Sequence, residues 1–438
     1  MDTARTMTAR ALARAMLAGP HDVDGLAARM AVCLQARPPW LARLAQAMAR
    51  VPGEVWRRLD VQTLGERVLA DDGFAEAWAG DARPQARHWL LRPPEDLPPA
   101  PAGLERPHWP TVGALARGLG LTPAGLWRLT LPADWQRRRP LAQQHYRQQL
   151  VPKRGDGAGW RLLEVPEPHL RAVQRRLLTQ LLDGLPPHPA AFGFAPGRSV
   201  VQHAAQHAGQ GRVLRFDLSD FFATVCASRV HALFRALGYS TAVACALTAL
   251  GTTAAPEAWL RGEPRLAWPQ RQRLRDPHLP QGAPTSPALA NLCAFGLDAR
   301  LTGLAEAFGA RYSRYADDLV ISGPATLPVH ALSAWVAAIA ADEGFVINPR
   351  KTRALGAGQR QSVCGIVVNA RPNLPRDEFD RLKAVLHRCV IDGPSTQNRD
   401  DHADWRGHLQ GRVAWTAQLN AARAQKLKKL LDRIDWAR

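Results

Sequence analysis

The chain has 438 residues, 46 % of them hydrophobic, and carries 57 Lys and Arg against 38 Asp and Glu, a formal charge of +19. That length allows two or three domains with a sizeable core. There is no apolar run of about 18 residues, which excludes a spanning helix, and no Cys-x-x-Cys pair among the six cysteines, which sets aside zinc and redox motifs.

The basic excess, spread along the chain, points to a polyanionic partner: nucleic acid first, a negatively charged membrane second. Free thiols at Cys33, Cys226, Cys245, Cys293, Cys364 and Cys389 fit a reducing cytoplasm.

Residues 1–92 read as helical. Leu12, Ala13, Ala15 and Met16 fall near helical spacing, as do Leu41, Leu44, Ala45 and Met48. Trp40, Trp56, Trp78 and Trp89 serve either as core anchors or as surfaces for stacking bases. Residues 93–110 form a stiff, extended linker, because Pro93, Pro94, Pro98, Pro99, Pro101, Pro107 and Pro110 exclude helix. Helical spacing resumes from Thr111 with Leu115, Leu119 and Leu126. Arg137, Arg138 and Arg139 form a basic cluster, a solvated loop or a phosphate contact.

Lys153, Arg154 and Gly155 with residues 160–166 suggest a hairpin whose turn uses Gly155, Gly157 and Gly159. Arg161 on it is a surface arginine or a bidentate grip for a triphosphate. Residues 170–182 come next as an amphipathic helix with Gln174, Arg175 and Arg176. Residues 213–222 are a hydrophobic strand with two acids in it, and Asp217 emerges near its end. A buried strand tolerates that charge only with a partner; otherwise Asp217 is a helix cap for the residues after it. Residues 279–287 make a turn-rich loop with Gln281. Ser286 serves as the N-cap and Pro287 as the first position of a helix from Ala288 to about Leu304.

Arg314-Tyr315-Ala316-Asp317-Asp318 lies in a hydrophobic run from Tyr312 to Ile321. Adjacent like charges repel, and a cation offsets the cost. Carboxylate oxygens are hard ligands suited to Mg²⁺. A flat strand would turn the two acids to opposite faces, whereas a tight turn at Ala316-Asp317 keeps both near one site. The plain alternative is an Asp-rich surface turn. Beyond it come a helix over residues 331–342, a strand over residues 345–348, a basic loop with Arg350 and Lys351, and a short strand over residues 361–369 containing Gly365. Residues 376–438 are mainly helical. Leu427, Leu430, Leu431 and Ile434 form an apolar stripe, and Arg423, Lys426, Lys429 and Arg433 line a neighbouring face that is either solvated or ready for phosphates.

Taken in order, the Arg161 hairpin, the Asp217 strand, the 279–287 loop, the Tyr315–Asp318 hairpin, the Lys351 loop and the Gly365 strand closely resemble reverse transcriptases over residues 111–375. Within that family, Ala191-Phe192-Gly193-Phe194 to Ser199, residues 279–287 and residues 314–318 look most like bacterial retron enzymes. Two signatures depart from the pattern: His203-Ala204-Ala205-Gln206-His207 has His for the family's first Asn, and Val363-Cys364-Gly365 has Cys for its Thr. His203 and His207 are also spaced like a zinc pair, but no further ligand is in sight.

The resemblance implies an α+β, right-hand polymerase fold. Fingers and palm with an antiparallel sheet would span residues 111–375 and a helical thumb residues 376–438, behind an N-terminal helical extension. It implies that Asp217, Asp317 and Asp318 hold two Mg²⁺ ions. Lys351 would protonate the leaving pyrophosphate. Arg161, with Lys153 or Arg154, would contact the triphosphate. Phe222 would be the steric gate against a 2′-OH, with Phe221 beside it and Gln281 lining the nucleotide pocket. Tyr315 and Gly365 would position the primer.

The implied activity is RNA-directed DNA synthesis from dNTPs on a structured non-coding RNA. Priming at a 2′-OH would give branched, RNA-linked single-stranded DNA in the cytoplasm, in antiphage defence with a separate effector protein. Group II intron, diversity-generating and stand-alone defence enzymes are the competing enzymes, the first normally needing a longer C-terminal region. A non-catalytic RNA-binding scaffold is the alternative from another class, and three converging acids argue against it.

Overall fold

The computed structural model describes residues 3–436 except 57–58, 82, 88–104, 132–134, 137–138, 141–142 and 154–158. Trp89, the five prolines at 93, 94, 98, 99 and 101, and Arg137, Arg138, Arg154, Gly155 and Gly157 lie outside the described residues. The chain divides into two compact units, Met1–Leu97 and Pro98–Arg438. The positive excess is not spread over both, as the overall composition suggests. The first 97 residues hold 13 arginines against 12 acids, so the second unit carries nearly all of the +19.

In the first unit the main helices are Thr3–Leu17, Val23–Leu34, Pro39–Ala49, Val61–Leu69 and Asp72–Ala79. Asp22, Asp60 and Asp71 start three of them by accepting backbone N–H bonds from Gly25, Thr63 and Phe74. The guanidinium of Arg29 donates to the carbonyls of Ala15, Met16 and Pro20, satisfying the end of the first helix. Leu12, Met16, Leu26, Leu44, Leu64 and Phe74 fill the core, and Trp40, Trp56 and Trp78 are buried within it. Those three tryptophans are core anchors rather than stacking surfaces.

The second unit is built on an antiparallel four-stranded sheet ordered β4-β5-β3-β6, where β3 is Arg212–Asp217, β4 Arg311–Tyr315, β5 Asp318–Gly323 and β6 Arg353–Gly356. Side-chain alternation sends Leu214, Phe216, Leu319 and Ile321 into the main core beneath the helices. Val213 and Val320 enter a smaller core on the other face with Ala204, Val363 and Ile366. Burial on both faces explains why neighbouring residues are apolar whichever face they take, Val213 and Leu214 in β3 and Leu319, Val320 and Ile321 in β5. A separate hairpin pairs β1 (Tyr146–Pro152) with β2 (Trp160–Pro166). The helices Arg376–Asp392, Trp405–Leu419 and Ala421–Leu431 have their own core of Leu382, Leu386, Leu409, Val413 and Leu427.

Several local expectations are corrected. The partner of β2 is residues 146–152 rather than 153–155, because Lys153 already belongs to the turn, its N–H bonding the Gly159 carbonyl at 2.9 Å. The helix expected from Ala288 is two helices, Ser286–Cys293 and Phe295–Ala307, separated at Ala294. Its N-cap is Thr285 without a side-chain bond, since the Ser286 hydroxyl donates to the Pro280 carbonyl at 2.7 Å. Residues 345–348 make one isolated bridge, Leu218 with Ile347, instead of a strand. Residues 361–369 form a tight hairpin, β7 (Ser362–Val363) with β8 (Ile366–Val367), rather than one strand. The last helix stops at Leu431, so Ile434 is buried from beyond its end.

Candidate active site

Asp217 ends β3 and Asp318 begins β5, and the antiparallel register pairs them directly across the sheet. Directly paired residues share a face. The alternation that puts Val213 and Arg215 on that face puts Asp217 there too, beside Asp318 and Val320. Asp317 sits in the two-residue turn, outside the strand alternation, so the pleat does not separate it from Asp318. Its carbonyl accepts the Leu218 N–H at 2.9 Å, which ties the turn to the end of β3. From the other side, Asn348 N–H donates to the Asp217 carbonyl at 2.7 Å and Ser219 N–H to Val346.

The turn itself is held unusually. Ala316 has φ +57, a left-handed conformation that a β-carbon disfavours. Behind it Gly193 packs against the Ala316 nitrogen and the Tyr315 carbonyl carbon so closely that a Cβ there would collide with backbone. Phe192 N–H donates to the Arg314 carbonyl and Arg314 N–H to Ala190, stitching residues 190–192 alongside β4. Arg314 is wholly buried, and its guanidinium is clamped by Asp298 at 2.8 and 2.6 Å. It also donates to Asn291 Oδ1 and to the Ala316 carbonyl, each at 3.0 Å. Tyr312 OH donates to Asp298 at 2.8 Å, and Asn291 Nδ2 to the Gly193 carbonyl at 2.9 Å.

Sequence reasoning missed Asp298 and Asn291. The available signal was Asp298 lying among Leu297, Leu301 and Ala305 on the buried face of its helix; a charge on such a stripe demands a buried partner.

Burial raises the Asp317 carboxyl above its ordinary range, and the charges of Asp217 and Asp318 push it further. Asp318 is also raised, by burial first, with Arg215 opposing and Asp217 adding to the rise. Its carboxylate lies 3.9 Å from Arg215 Nη2 and 3.8 Å from the Cys364 thiol. Asp217 is turned onto Lys351 Nζ at 2.7 Å. Among the described residues no three His, Cys, Asp or Glu side chains already form a closed metal-ligand set. The three aspartates are neighbours that feel one another's charge, with Asp217 held by Lys351 and Asp318 facing Arg215 and Cys364. Their donor chemistry fits a divalent cation: hard oxygens only, held in mutual repulsion and half desolvated, a state that a dication relieves.

The remaining predicted residues surround this point unevenly. Phe221 is buried and Phe222 partly so, 5.6 Å apart between rings, and Phe222 lies 6.1 Å from the exposed Phe194. Tyr315 ends β4, its ring 5.7 Å from His203. Gly365, at φ +82, comes after Cys364 in the β7–β8 turn and so approaches Asp318 through that thiol. Gln281 is joined to the β2 strand through its carbonyl, which accepts the Glu164 N–H at 2.9 Å, and Arg161 is exposed three residues earlier on that strand. No direct contact links Arg161 or Gln281 to the aspartates among the described residues. His203 and His207 are not paired on a metal: Ser313 bonds both imidazoles and Ser322 bonds His207. On the basic C-terminal helix, Arg423 is already committed to Asn373 and the Leu374 carbonyl, while Lys426 and Lys429 are exposed, as is Arg433 just beyond its end.

Residues 151–368 match the family described as reverse transcriptase (RNA-dependent DNA polymerase). The chain is 39 % identical over 337 residues to the Retron Mx65 reverse transcriptase of Myxococcus xanthus, covering 76 % of this chain and 75 % of that protein. It is 34 % identical over 360 residues to the Retron Mx162 reverse transcriptase of the same organism, covering 78 % and 69 %. To the Retron Ec86 reverse transcriptase of Escherichia coli it is 28 % identical over 291 residues, covering 66 % and 81 %.

Proposed function

This chain belongs to the retron reverse transcriptases, and from that premise we propose that Asp217, Asp317 and Asp318 form the polymerisation centre of an RNA-directed DNA polymerase. The observation that carries the reading is the cross-strand pairing of Asp217 with Asp318 beside a turn that presents Asp317. Mg²⁺, as two ions held by these carboxylates, would supply the charge that activates a primer hydroxyl and stabilises the departing pyrophosphate.

The chain's own residues do the rest. Lys351, now on Asp217, gives its proton to the pyrophosphate as it leaves. Arg161 grips the incoming triphosphate through a planar two-point contact, with Lys153 nearby on the same hairpin. The Phe222 ring, braced by Phe221, excludes a ribose 2′-OH, and Gln281 lines the nucleotide pocket. Tyr315 and Gly365 hold the primer terminus.

In this reading β1–β2 belongs to the fingers, the four-stranded sheet is the palm and the last three helices the thumb, with residues 111–375 and 376–438 as their bounds. Residues 1–92 are an extension and 93–110 a linker. The concentration of positive charge in the second unit supports a nucleic-acid partner for that unit. That partner is the enzyme's own structured RNA. Synthesis begins at a 2′-OH in it and leaves branched DNA, in the cytoplasm and in the service of antiphage defence with an effector protein.

The test is primer extension on RNA with Mg²⁺. Asp317→Ala with Asp318→Ala should abolish synthesis while leaving circular dichroism and the unfolding midpoint near those of the parent. Extension by a folded double variant would overturn the site. Sequencing the nucleic acid that co-purifies should find DNA joined to RNA through a 2′–5′ linkage, and linear DNA alone would refute the priming mode.

A further inference from the structure

One acid near the site has no place in the roles above. Asp220 lies between Asp217 and the Phe221–Phe222 pair and adopts φ +49, a left-handed conformation uncommon for a residue with a side chain. Its carboxylate is the meeting point of two other elements. Arg273 Nη1 donates to Oδ2 at 2.7 Å, Gln270 Nε2 lies 3.4 Å from Oδ1, and Lys153 Nζ lies 3.9 Å from Oδ1. Arg273 and Gln270 come from the helix Trp268–Arg275, and Lys153 from the hairpin just beyond β1.

That helix is packed in place. Leu274, Leu260 and Leu266 form a small core with Leu162 of β2, against which Leu150, Trp160 and Ala223 also pack. Arg265 adds its guanidinium over the Trp160 ring at 4.8 Å. The segment carrying Arg273 is thus anchored both to the hairpin and to the turn just after Asp220.

A negative charge beside a triphosphate pocket repels the substrate and competes with it for Lys153. Arg273, the closer of the two cations, offsets that charge. We infer that Arg273 is a positioning residue for nucleotide binding: it neutralises Asp220, so that Asp220 keeps Lys153 at the pocket mouth loosely enough for an incoming triphosphate to take it. This rests on the reading of the Lys153–Arg161 hairpin as the triphosphate grip.

The test is steady-state primer extension by the full-length enzyme with each dNTP varied. Arg273→Gln should raise KM for dNTP about five- to tenfold, with a smaller change in kcat, and the defect should shrink as salt is added. Adding Asp220→Asn to Arg273→Gln removes the uncompensated charge and should bring KM back to within about twofold of the parent. Arg273→Lys, which keeps the charge, should stay within the same range. An unchanged KM in Arg273→Gln overturns the inference. So does a raised KM that Asp220→Asn fails to restore, since that outcome makes Arg273 a direct substrate contact or a packing residue. Lys153→Ala and Arg161→Ala separate this from the parent reading: if both keep the parental KM, the hairpin does not bind triphosphate at all.

Discussion

Asp298→Asn is the sharpest perturbation of the frame that holds the aspartate turn. Arg314 and Asp298 are both fully buried, and their two hydrogen bonds are 2.8 and 2.6 Å. The substitution keeps the side-chain shape but removes the countercharge, and its amide turns an N–H₂ towards a guanidinium N–H. Breaking one partner of a buried ion pair costs about 3–5 kcal/mol, because the remaining charge is stranded in a medium that cannot solvate it. The Tyr312 hydroxyl bond to the same carboxylate weakens as well, by about 1 kcal/mol.

Arg314 also donates to the Ala316 carbonyl, so the damage reaches the turn that presents Asp317. The assay is urea unfolding monitored by circular dichroism, with primer extension measured below the transition. Asp298→Asn should unfold about 3–5 kcal/mol more easily and extend more slowly. Asp298→Asn combined with Arg314→Met, which removes the stranded charge, should be less destabilised than the two single changes summed. A stability for Asp298→Asn within about 1 kcal/mol of the parent would refute the idea that this pair braces the turn.

His203 and His207 give a pH signature. Burial lowers His203 to about 4, helped by Arg215, and lowers His207 to about 3, helped by His203 and Arg311. The unfolded chain takes up protons near pH 6.5 while the folded one does not, so stability is full above that value and is lost as pH falls towards 3–4. Between pH 7 and 5 each histidine should contribute a loss of about 2 kcal/mol. His278, which burial lowers but Glu164 raises to a net upward shift, acts in the opposite sense, so the measurement is the difference between the parent and a His203→Gln, His207→Gln variant; equal pH slopes would rule the effect out. Gly193→Ala should cost at least about 1–3 kcal/mol and slow extension, because the obstructing atoms are backbone; a fully active, equally stable variant would mean that the close approach is not needed. Phe222→Ala should raise the use of rNTPs relative to dNTPs, and an unchanged ratio in competitive extension would eliminate it as the sugar gate.

The strands around the aspartates were legible because both faces of the sheet are buried. That produces apolar residues bounded by an acid at residues 213–217 and 318–321, although the strand expected over residues 213–222 stops at Asp217 and Phe221–Thr224 is helical. The Ala316–Asp317 turn was legible for a related reason, since two acids in such a run need a geometry that keeps them together. Short-range polar chemistry was not legible. Residues 286–307 carry one continuous helical pattern, yet the chain breaks at Ala294. Residues 345–348 have strand-like composition but form a single β-bridge, Ile347 with Leu218, flanked by hydrogen bonds at Val346 and Asn348. Local propensity is a weak prior where tertiary contacts decide.

The supporting shell was hidden for another reason. Asp298 is 16 residues from Arg314, and Asp220 is 53 from Arg273, separations at which no periodicity operates. What betrays such residues is a contradiction: an acid on a buried helical stripe, or an aspartate where the backbone turns left-handed. The site's acids are contradictions of the same kind, since Asp317 and Asp318 are partly buried side by side with their pKa values raised. Asp298 and Asp220 are each resolved by an arginine the chain supplies. For Asp217 the chain supplies Lys351, a flexible amine more than half exposed. A buried bidentate arginine would fix Asp217 permanently, whereas an exposed lysine is easily displaced. Asp318 likewise meets its cation, Arg215, only at 3.9 Å, so it is the looseness of the partner that separates the site acids from Asp298, clamped at 2.8 and 2.6 Å.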